Sequence, residues 1–245
     1  MLKSAQYTDV GLVRTVNEDR AVVCEVAGCT LAIVADGMGG HQAGDTASQM
    51  TVEMLRLSLQ SLTPDMPEEE RSAALEEAIR QANATVFEMA SKKEHYHGMG
   101  TTVTAALANG KELMIGHIGD SRAYIINPTE CRQLTEDHTL VNELVKTGQI
   151  SLEEAATHPR RNVLTRALGT DEEVEVDLIC CEWQEGDVLL LCSDGLSNHV
   201  TERVMQETLL SGMTLQEKAE FLVGSALEAG GDDNITVVLM ANEQL

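Results

Sequence analysis

The sequence predicts an α+β fold in which two antiparallel sheets stack as a central β-sandwich and helices flank both outer faces, giving four layers ordered α-β-β-α. Short apolar runs separated by tight turns indicate antiparallel strands. Two long helical patterns follow one another directly, and such a pair must cover a sheet face. The chain is 43% hydrophobic but only 2% aromatic, so its core must be aliphatic. Because no repeat or linker-like stretch interrupts residues 1–245, we expect one domain.

The first half of the chain has three strand-like runs followed by two helices. The segment LAIVA at 31–35 is apolar throughout, as expected for a strand buried on both faces. Apolar residues then recur every three or four positions from Ala43 to Leu57, which predicts a helix. Pro67 followed by three glutamates begins a second helix, which continues to about Met89. The strand-like runs cover 3–9, 20–27 and 29–35.

The second half returns to strands and closes with a helix and a strand. Turns are predicted at Asn109-Gly110 and Asn127-Pro128. Thr214 and Glu217 form a capping box for a helix that ends near residue 228. Residues 137–168 show a mixed pattern of short helical pieces and polar loops. The predicted strands cover 102–108, 113–119, 122–126, 174–182, 187–192 and 235–241.

Charge and composition exclude several classes of partner. The chain has 17 Lys and Arg against 40 Asp and Glu, a net charge of −23, so nucleic acids and anionic membrane surfaces are disfavoured. The opening MLKSAQYTDVG lacks the apolar segment of a secretory signal, and no stretch is long enough to span a membrane. The six cysteines lack zinc-site spacing and are interpreted as reduced, small hydrophobes. We therefore expect a cytoplasmic protein, and a monomer.

Acidic residues recur where apolar strands end or begin. Asp36, Asp120 and Asp194 each follow a strand-like run, and Asp233 comes just before the last strand. One Asp-Gly pair is usually an ordinary turn. Four converging carboxylates would repel one another unless a cation neutralised them, and oxygen ligands suit Mg²⁺ or Mn²⁺. Gly37 would let a backbone carbonyl turn toward the same ion.

A charged stretch lies upstream of these acids, in GLVRTVNEDR at 11–20. Its guanidinium and carboxylates are compatible with a surface loop of ion pairs. Beside a metal centre, Arg14 could instead bind an anionic substrate through two parallel hydrogen bonds.

Six short motifs occur in one order along the chain, and their combination is specific. They are RxxNEDR at 14–20, VADGMGGHxxG at 34–44, MGTT at 99–102, GDSR at 119–122, SDGL at 193–196 and DDNIT at 232–236. This ordered set, which covers residues 9–241, resembles bacterial members of the protein phosphatase 2C family, the metal-dependent serine/threonine phosphatases.

The resemblance implies a β-sandwich flanked by helices, with two Mn²⁺ or Mg²⁺ ions at one end. Asp36 resembles the carboxylate that bridges both ions, and Gly37 would offer its carbonyl to one of them. Asp194 and Asp233 resemble ligands of the other ion. Glu18 would act mainly through water held by a metal.

The family pattern also implies roles around these ligands. Asp120 resembles the residue that helps to hold a third, weaker metal ion with Asp194. Asp19 and Asn234 would support the ligands from behind, and Arg14 would bind the phosphate. The expected reaction is in-line attack of activated water on phosphorus without a phospho-enzyme, with the cations and Arg14 offsetting charge on the phosphoryl oxygens.

Two assignments stay open at the sequence level. Animal members of the family carry a histidine two places after the bridging aspartate, where this chain has Met38. His41 is the nearest candidate for the proton donor to the leaving group, and water on a metal ion is the alternative. Residues 137–168 match the family's flap, here called the flap insert, whose arginines 160, 161 and 166 either contact substrate or are neutralised by neighbouring acids.

The expected substrates are phosphoserine and phosphothreonine in proteins, and the expected counterpart is a serine/threonine kinase. Three other functions compete with this one. They are a phosphoprotein-binding module without activity, a phosphatase devoted to one regulatory partner, and a hydrolase of small phosphorylated metabolites.

Overall fold

The computed structural model describes residues 2–40 and 42–243 and contains two stacked β-sheets with helices on either side. The strands are β1 (Lys3–Asp9), β2 (Asp19–Val26), β3 (Cys29–Met38), β4 (Gly100–Thr101), β5 (Val103–Ala108), β6 (Glu112–Ile118), β7 (Arg122–Ile126), β8 (Cys131–Gln133), β9 (Asp177–Glu182), β10 (Val188–Cys192) and β11 (Ile235–Ala241). The α-helices are α1 (Gln42–Ser58), α2 (Glu68–Lys92), α3 (Leu140–Lys146), α4 (Leu152–Ala156), α5 (Asp194–Ser197), α6 (Glu202–Leu209) and α7 (Leu215–Glu228).

Every strand pairing in the two sheets is antiparallel. The first sheet has the order β1-β11-β10-β7-β8. The second has the order β2-β3-β5-β6-β9, and β4 adds to the end of β3. The arrangement confirms the predicted α+β sandwich.

Side chains on β3 alternate between two cores, which explains why its sequence is apolar throughout. Leu31 and Ile33 pack beneath α1 and α2, whereas Ala32 and Val34 face the other sheet. The outer face of the first sheet is covered by α6 and α7. Helices therefore cover both sheets, and the layer between the sheets holds a third apolar core.

The helix starts follow local chemistry that the sequence reveals. The Thr214 side chain accepts from the backbone N–H of Glu217, whose carboxylate accepts from the Thr214 N–H, so the predicted capping box at α7 is confirmed. Helix α2 begins directly after Pro67 with glutamates in its first turn, as predicted.

Two strand boundaries differ from the prediction by more than one residue. Strand β3 extends beyond residue 35 because Gly37 and Met38 pair with β4. The strand predicted at 174–182 begins at Asp177, since the Val174 carbonyl accepts from Arg80 of α2 instead of joining the ladder. Both differences come from partners distant in sequence, which local patterns do not report.

The flap insert contains α3, α4 and polar loops, in agreement with its mixed sequence pattern. Helix α6 was not predicted, although Thr201 caps it by accepting from the Val204 N–H. Within residues 2–40 and 42–243, none of the helices combines the length and apolar character needed to cross a membrane.

Candidate active site

Strand register and a buried hydroxyl bring the predicted acids to one end of the sandwich. Asp19 and Asp36 are direct partners on β2 and β3 of the second sheet. Asp194 begins α5 at the end of β10 in the first sheet. Ser193 Oγ donates to Asp19 Oδ2 at 2.7 Å and so connects the two sheets. Asp233 lies just before β11, the neighbour of β10.

The electrostatics of this end reflect crowded and buried carboxylates. Burial raises the pKa of Asp36 well above its usual range, and the charges of the four aspartates 19, 194, 120 and 233 raise it further. Burial likewise raises the pKa of Asp194 well above its usual range, with Asp120 as the next cause. Burial raises the pKa of Asp19 and of Asp120 to about 6. The five carboxylates therefore repel one another at low dielectric, and a bound cation would relieve that cost.

The donor set fits hard divalent cations. Among the described residues, Asp19 Oδ1 and Asp194 Oδ1 are buried oxygens with no hydrogen-bond partner. Such oxygens are costly unless a cation or a proton satisfies them. Within the same described residues, there is no group of three or more His, Cys, Asp or Glu side chains whose arrangement could hold a metal ion as it stands. Two of the predicted metal ligands bond to neighbouring side chains. Asp233 accepts a hydrogen bond from Arg14, and Asp194 accepts one from Asn198.

The glycines that follow Asp36 allow the first turn of α1 to approach the end of β3. A Cβ on Gly37 would lie 2.1 Å from the Gly44 carbonyl oxygen. A Cβ on Gly44 would lie 2.9 Å from Glu18 Oε1, so this turn also packs closely against a predicted metal ligand. The motif VADGMGGHxxG therefore reflects backbone contact between two elements as well as chain flexibility.

Arg14 lies on a loop, residues 10–18, that is attached to the segment before β11. Asn234 makes three hydrogen bonds there, accepting from Glu18 N at 2.8 Å and donating to the carbonyls of Val10 at 2.9 Å and Val16 at 3.0 Å. The half-exposed Arg14 donates to Asp233 Oδ2 at 2.8 Å. The loop thus places a guanidinium beside the acids.

A cavity of about 830 Å³ opens from the acids toward the flap insert. Arg14, Asp120, Asp194 and Asp233 line one end of it. Residues of α3 and α4 also line it, and the volume of the cavity is in the range of sites that bind small ligands.

The base of the flap insert is held by a compact polar network. Arg122 binds both oxygens of Asp137, at 2.8 and 2.6 Å. His138 accepts from the Gly119 N–H at 3.0 Å and contacts Asp177 at 3.1 Å. Arg166 also binds Asp177, at 2.8 Å.

The arginines of the flap insert do not act as one group. Arg166 is occupied by Asp177 and by the Glu175 carbonyl, whereas Arg161 lines the cavity. The sequence left open whether these arginines contact substrate or are neutralised by neighbouring acids. Arg166 is neutralised by an acid, whereas Arg161 lies where it has access to the cavity.

Some residues at this end were not singled out from the sequence. Ser193 links the sheets through Asp19, and its position before Asp194 in SDGL was the available signal. His199 lies five residues after Asp194, lines the cavity and contacts Asp232 at 2.6 Å. The predicted proton donor His41 lies outside the described residues.

Buried, mutually repelling aspartates at one end of a β-sandwich suit divalent cations and so fit a metal-dependent hydrolase. The family model for protein phosphatase 2C matches residues 13–226. The serine/threonine phosphatase stp of Listeria innocua is 46% identical over 234 residues, covering 95% of this chain and 93% of that protein.

Solved structures agree with these matches. Serine/threonine phosphatase Stp1 from Staphylococcus aureus has a TM-score of 0.94 at 37% identity, with 100% of this chain and 96% of that chain covered. The catalytic domain of the serine/threonine protein phosphatase PstP, solved with two manganese ions, has a TM-score of 0.85 at 39% identity, with 98% and 97% covered. The chain belongs to the protein phosphatase 2C family and is a metal-dependent serine/threonine protein phosphatase.

Proposed function

We propose that the acids at this end of the sandwich hold two divalent cations, Mn²⁺ or Mg²⁺, with room for a weaker third. Asp36 and the Gly37 carbonyl, Asp194, Asp233 and Glu18 are the proposed ligands of the two ions, and Asp120 with Asp194 would hold the third. The observation that carries this proposal is the burial of mutually repelling carboxylates around unpartnered oxygens. When bound, such cations lower the pKa of water and offset negative charge on phosphoryl oxygens.

The residues around the proposed ligands have distinct tasks. Asp19 is held by Ser193, and Asn234 holds the loop that carries Arg14. Arg14 would bind the phosphate of the substrate and orient it for attack. Because Arg14 pairs with Asp233, a cation that binds through Asp233 competes with this ion pair. His41 remains the proposed proton donor to the leaving oxygen, with water on a metal ion as the alternative.

The biological setting is part of the same proposal. The substrates would include a serine/threonine kinase, whose action this phosphatase would oppose. The six free cysteines support a cytoplasmic location. We also propose that residues 1–245 act as one monomeric domain with the flap insert at its site mouth.

The test measures hydrolysis of p-nitrophenyl phosphate and of a phosphothreonine peptide with Mn²⁺, with Mg²⁺ and with a chelator. Asp36→Asn should reduce turnover of both substrates by at least about a thousandfold, because it removes a proposed ligand of both ions. Asp65→Asn, at an exposed loop position, is the matched control and should leave turnover unchanged. Metal-independent turnover, or full activity in Asp36→Asn, would contradict the proposal.

A further inference from the structure

The cavity beside the acids has two chemically different walls. Ser197 at the end of α5 forms a polar wall together with Asn198 and His199. On the flap insert, the apolar wall is formed by Val141, Val145, Leu152, Ala155 and Ala156, and the other lining residues there include the polar Asn142, Arg161 and Asn162. The cavity is therefore polar at the acids and carries an apolar patch on the flap insert.

Helical spacing produces this apolar wall. Val141 and Val145 are four residues apart on α3, and Leu152 and Ala155 are three apart on α4, so each pair shares one helix face. Leu152 is 75% exposed, the highest value among the large hydrophobic side chains that the structure describes. Leaving such a side chain in water gives up favourable burial, which a bound apolar group would recover.

The charges around the cavity do not exclude acidic residues beside the phosphorylated one, because Arg161 lines the cavity together with the acids. Asp137 is neutralised by Arg122 and Asp232 is bonded to His199, while Asp120, Asp194 and Asp233 are the proposed ligands of cations.

We propose that the apolar wall of the flap insert binds an apolar side chain close to the phosphoserine or phosphothreonine of the protein substrate, and so selects among phosphorylation sites. The inference rests on the proposed function, in which the phosphate occupies the acid end. The wall and the acid end line one cavity, so a side chain beside the bound phosphate can reach the wall. Leu152 and Val145 are the specificity-determining residues.

The test compares phosphothreonine peptides that differ at one position. Leu, Ser or Asp is placed at each of the two positions on either side of the phosphothreonine, and kcat/KM is measured with Mn²⁺. At one position or more, the Leu peptide should exceed the Ser peptide by about fivefold to tenfold, the value expected for partial burial of a leucine. The Asp peptide should also fall below the Leu peptide at that position, because a carboxylate cannot make the apolar contact.

Two variants at exposed leucines make the test specific. Leu152→Lys should abolish the preference for Leu and make the Asp peptide the better substrate, because an apolar contact is replaced by a positive charge. Leu57→Lys, on the outer side of α1, is the matched control and should keep the original preference. Both positions are exposed, so both variants should fold, which thermal melting verifies.

The outcomes separate this inference from the metal site. If all peptides are turned over within twofold of one another, or if Leu152→Lys keeps the preference for Leu, the apolar wall does not select substrates. If folded, Mn²⁺-loaded protein hydrolyses neither the peptides nor p-nitrophenyl phosphate, the metal-site proposal fails. This inference, which depends on it, then fails as well.

Discussion

Replacing Asn234 with alanine should weaken both the fold and substrate binding, for reasons visible in its contacts. Its side chain is 4% exposed and makes hydrogen bonds of 2.8, 2.9 and 3.0 Å to the loop that carries Arg14. The variant would leave the buried N–H of Glu18 and two partly buried carbonyls without these partners.

The size of the effect follows from these three groups. An unsatisfied buried N–H costs about 1–3 kcal/mol, and each partly buried carbonyl adds about 1 kcal/mol because water can replace its partner. The total is about 4 kcal/mol, or a fall in Tm of about 8–16 °C for a chain of this size. Because the loop positions Arg14, KM for p-nitrophenyl phosphate should rise more than kcat falls.

Urea unfolding with a chelator present measures the free energy of unfolding without a contribution from bound metal, and steady-state kinetics with Mn²⁺ measures KM and kcat. Asn83→Ala is a matched control, since Asn83 is 1% exposed and also makes three hydrogen bonds, to Gly169 N and to the carbonyls of Asp171 and Glu172. It should cost similar stability and leave KM unchanged. A loss below about 1 kcal/mol in Asn234→Ala, or an equal rise in KM in Asn83→Ala, would refute the reasoning.

Three further predictions concern the loop, the glycines and the buried histidine. Arg14→Ala should raise KM for p-nitrophenyl phosphate by about tenfold or more with little change in stability, because its exposed ion pair contributes little to folding. Gly44→Ala should weaken Mn²⁺ binding and lower stability by about 2 kcal/mol, since its Cβ would meet Glu18 Oε1 at 2.9 Å and the Gly37 backbone at 2.8 Å. Burial, reinforced by the charge of His138, lowers the pKa of His117 from 6.5 to about 4, so the native state binds fewer protons at this residue and the contribution of His117 to stability should fall by about 3 kcal/mol between pH 6.5 and 4.

Each of these predictions has a matched comparison. Arg203→Ala on α6 should not change KM, and an unchanged KM in Arg14→Ala would remove that residue from phosphate binding. Gly224→Ala on α7 places its Cβ in open space and should not change Mn²⁺ affinity, which calorimetry measures. Between pH 6.5 and 4, His117→Asn should gain about 3 kcal/mol of stability relative to the parent in urea unfolding, whereas the exposed His95→Asn should follow the parent. Equal pH slopes for the parent and His117→Asn would contradict the assigned pKa.

The amino-acid sequence determined the main elements of the fold because their signals are local. The continuous apolar run of β3, the run after Pro67 and the capping box at Thr214 each depend on residues a few positions apart. The candidate site residues were also found from sequence, because strand ends carry acids in an ordered set of motifs. Their individual roles remain proposals.

Only the tertiary structure decided how these pieces meet. The register that places Asp19 opposite Asp36, and the Ser193 hydroxyl that joins the two sheets, depend on contacts between residues distant in the chain. The same is true of the Arg14–Asp233 ion pair and of the apolar wall that α3 and α4 bring to the same cavity as the acids. Local propensity specifies a strand or a helix, but long-range packing chooses its partners and the direction in which each side chain points.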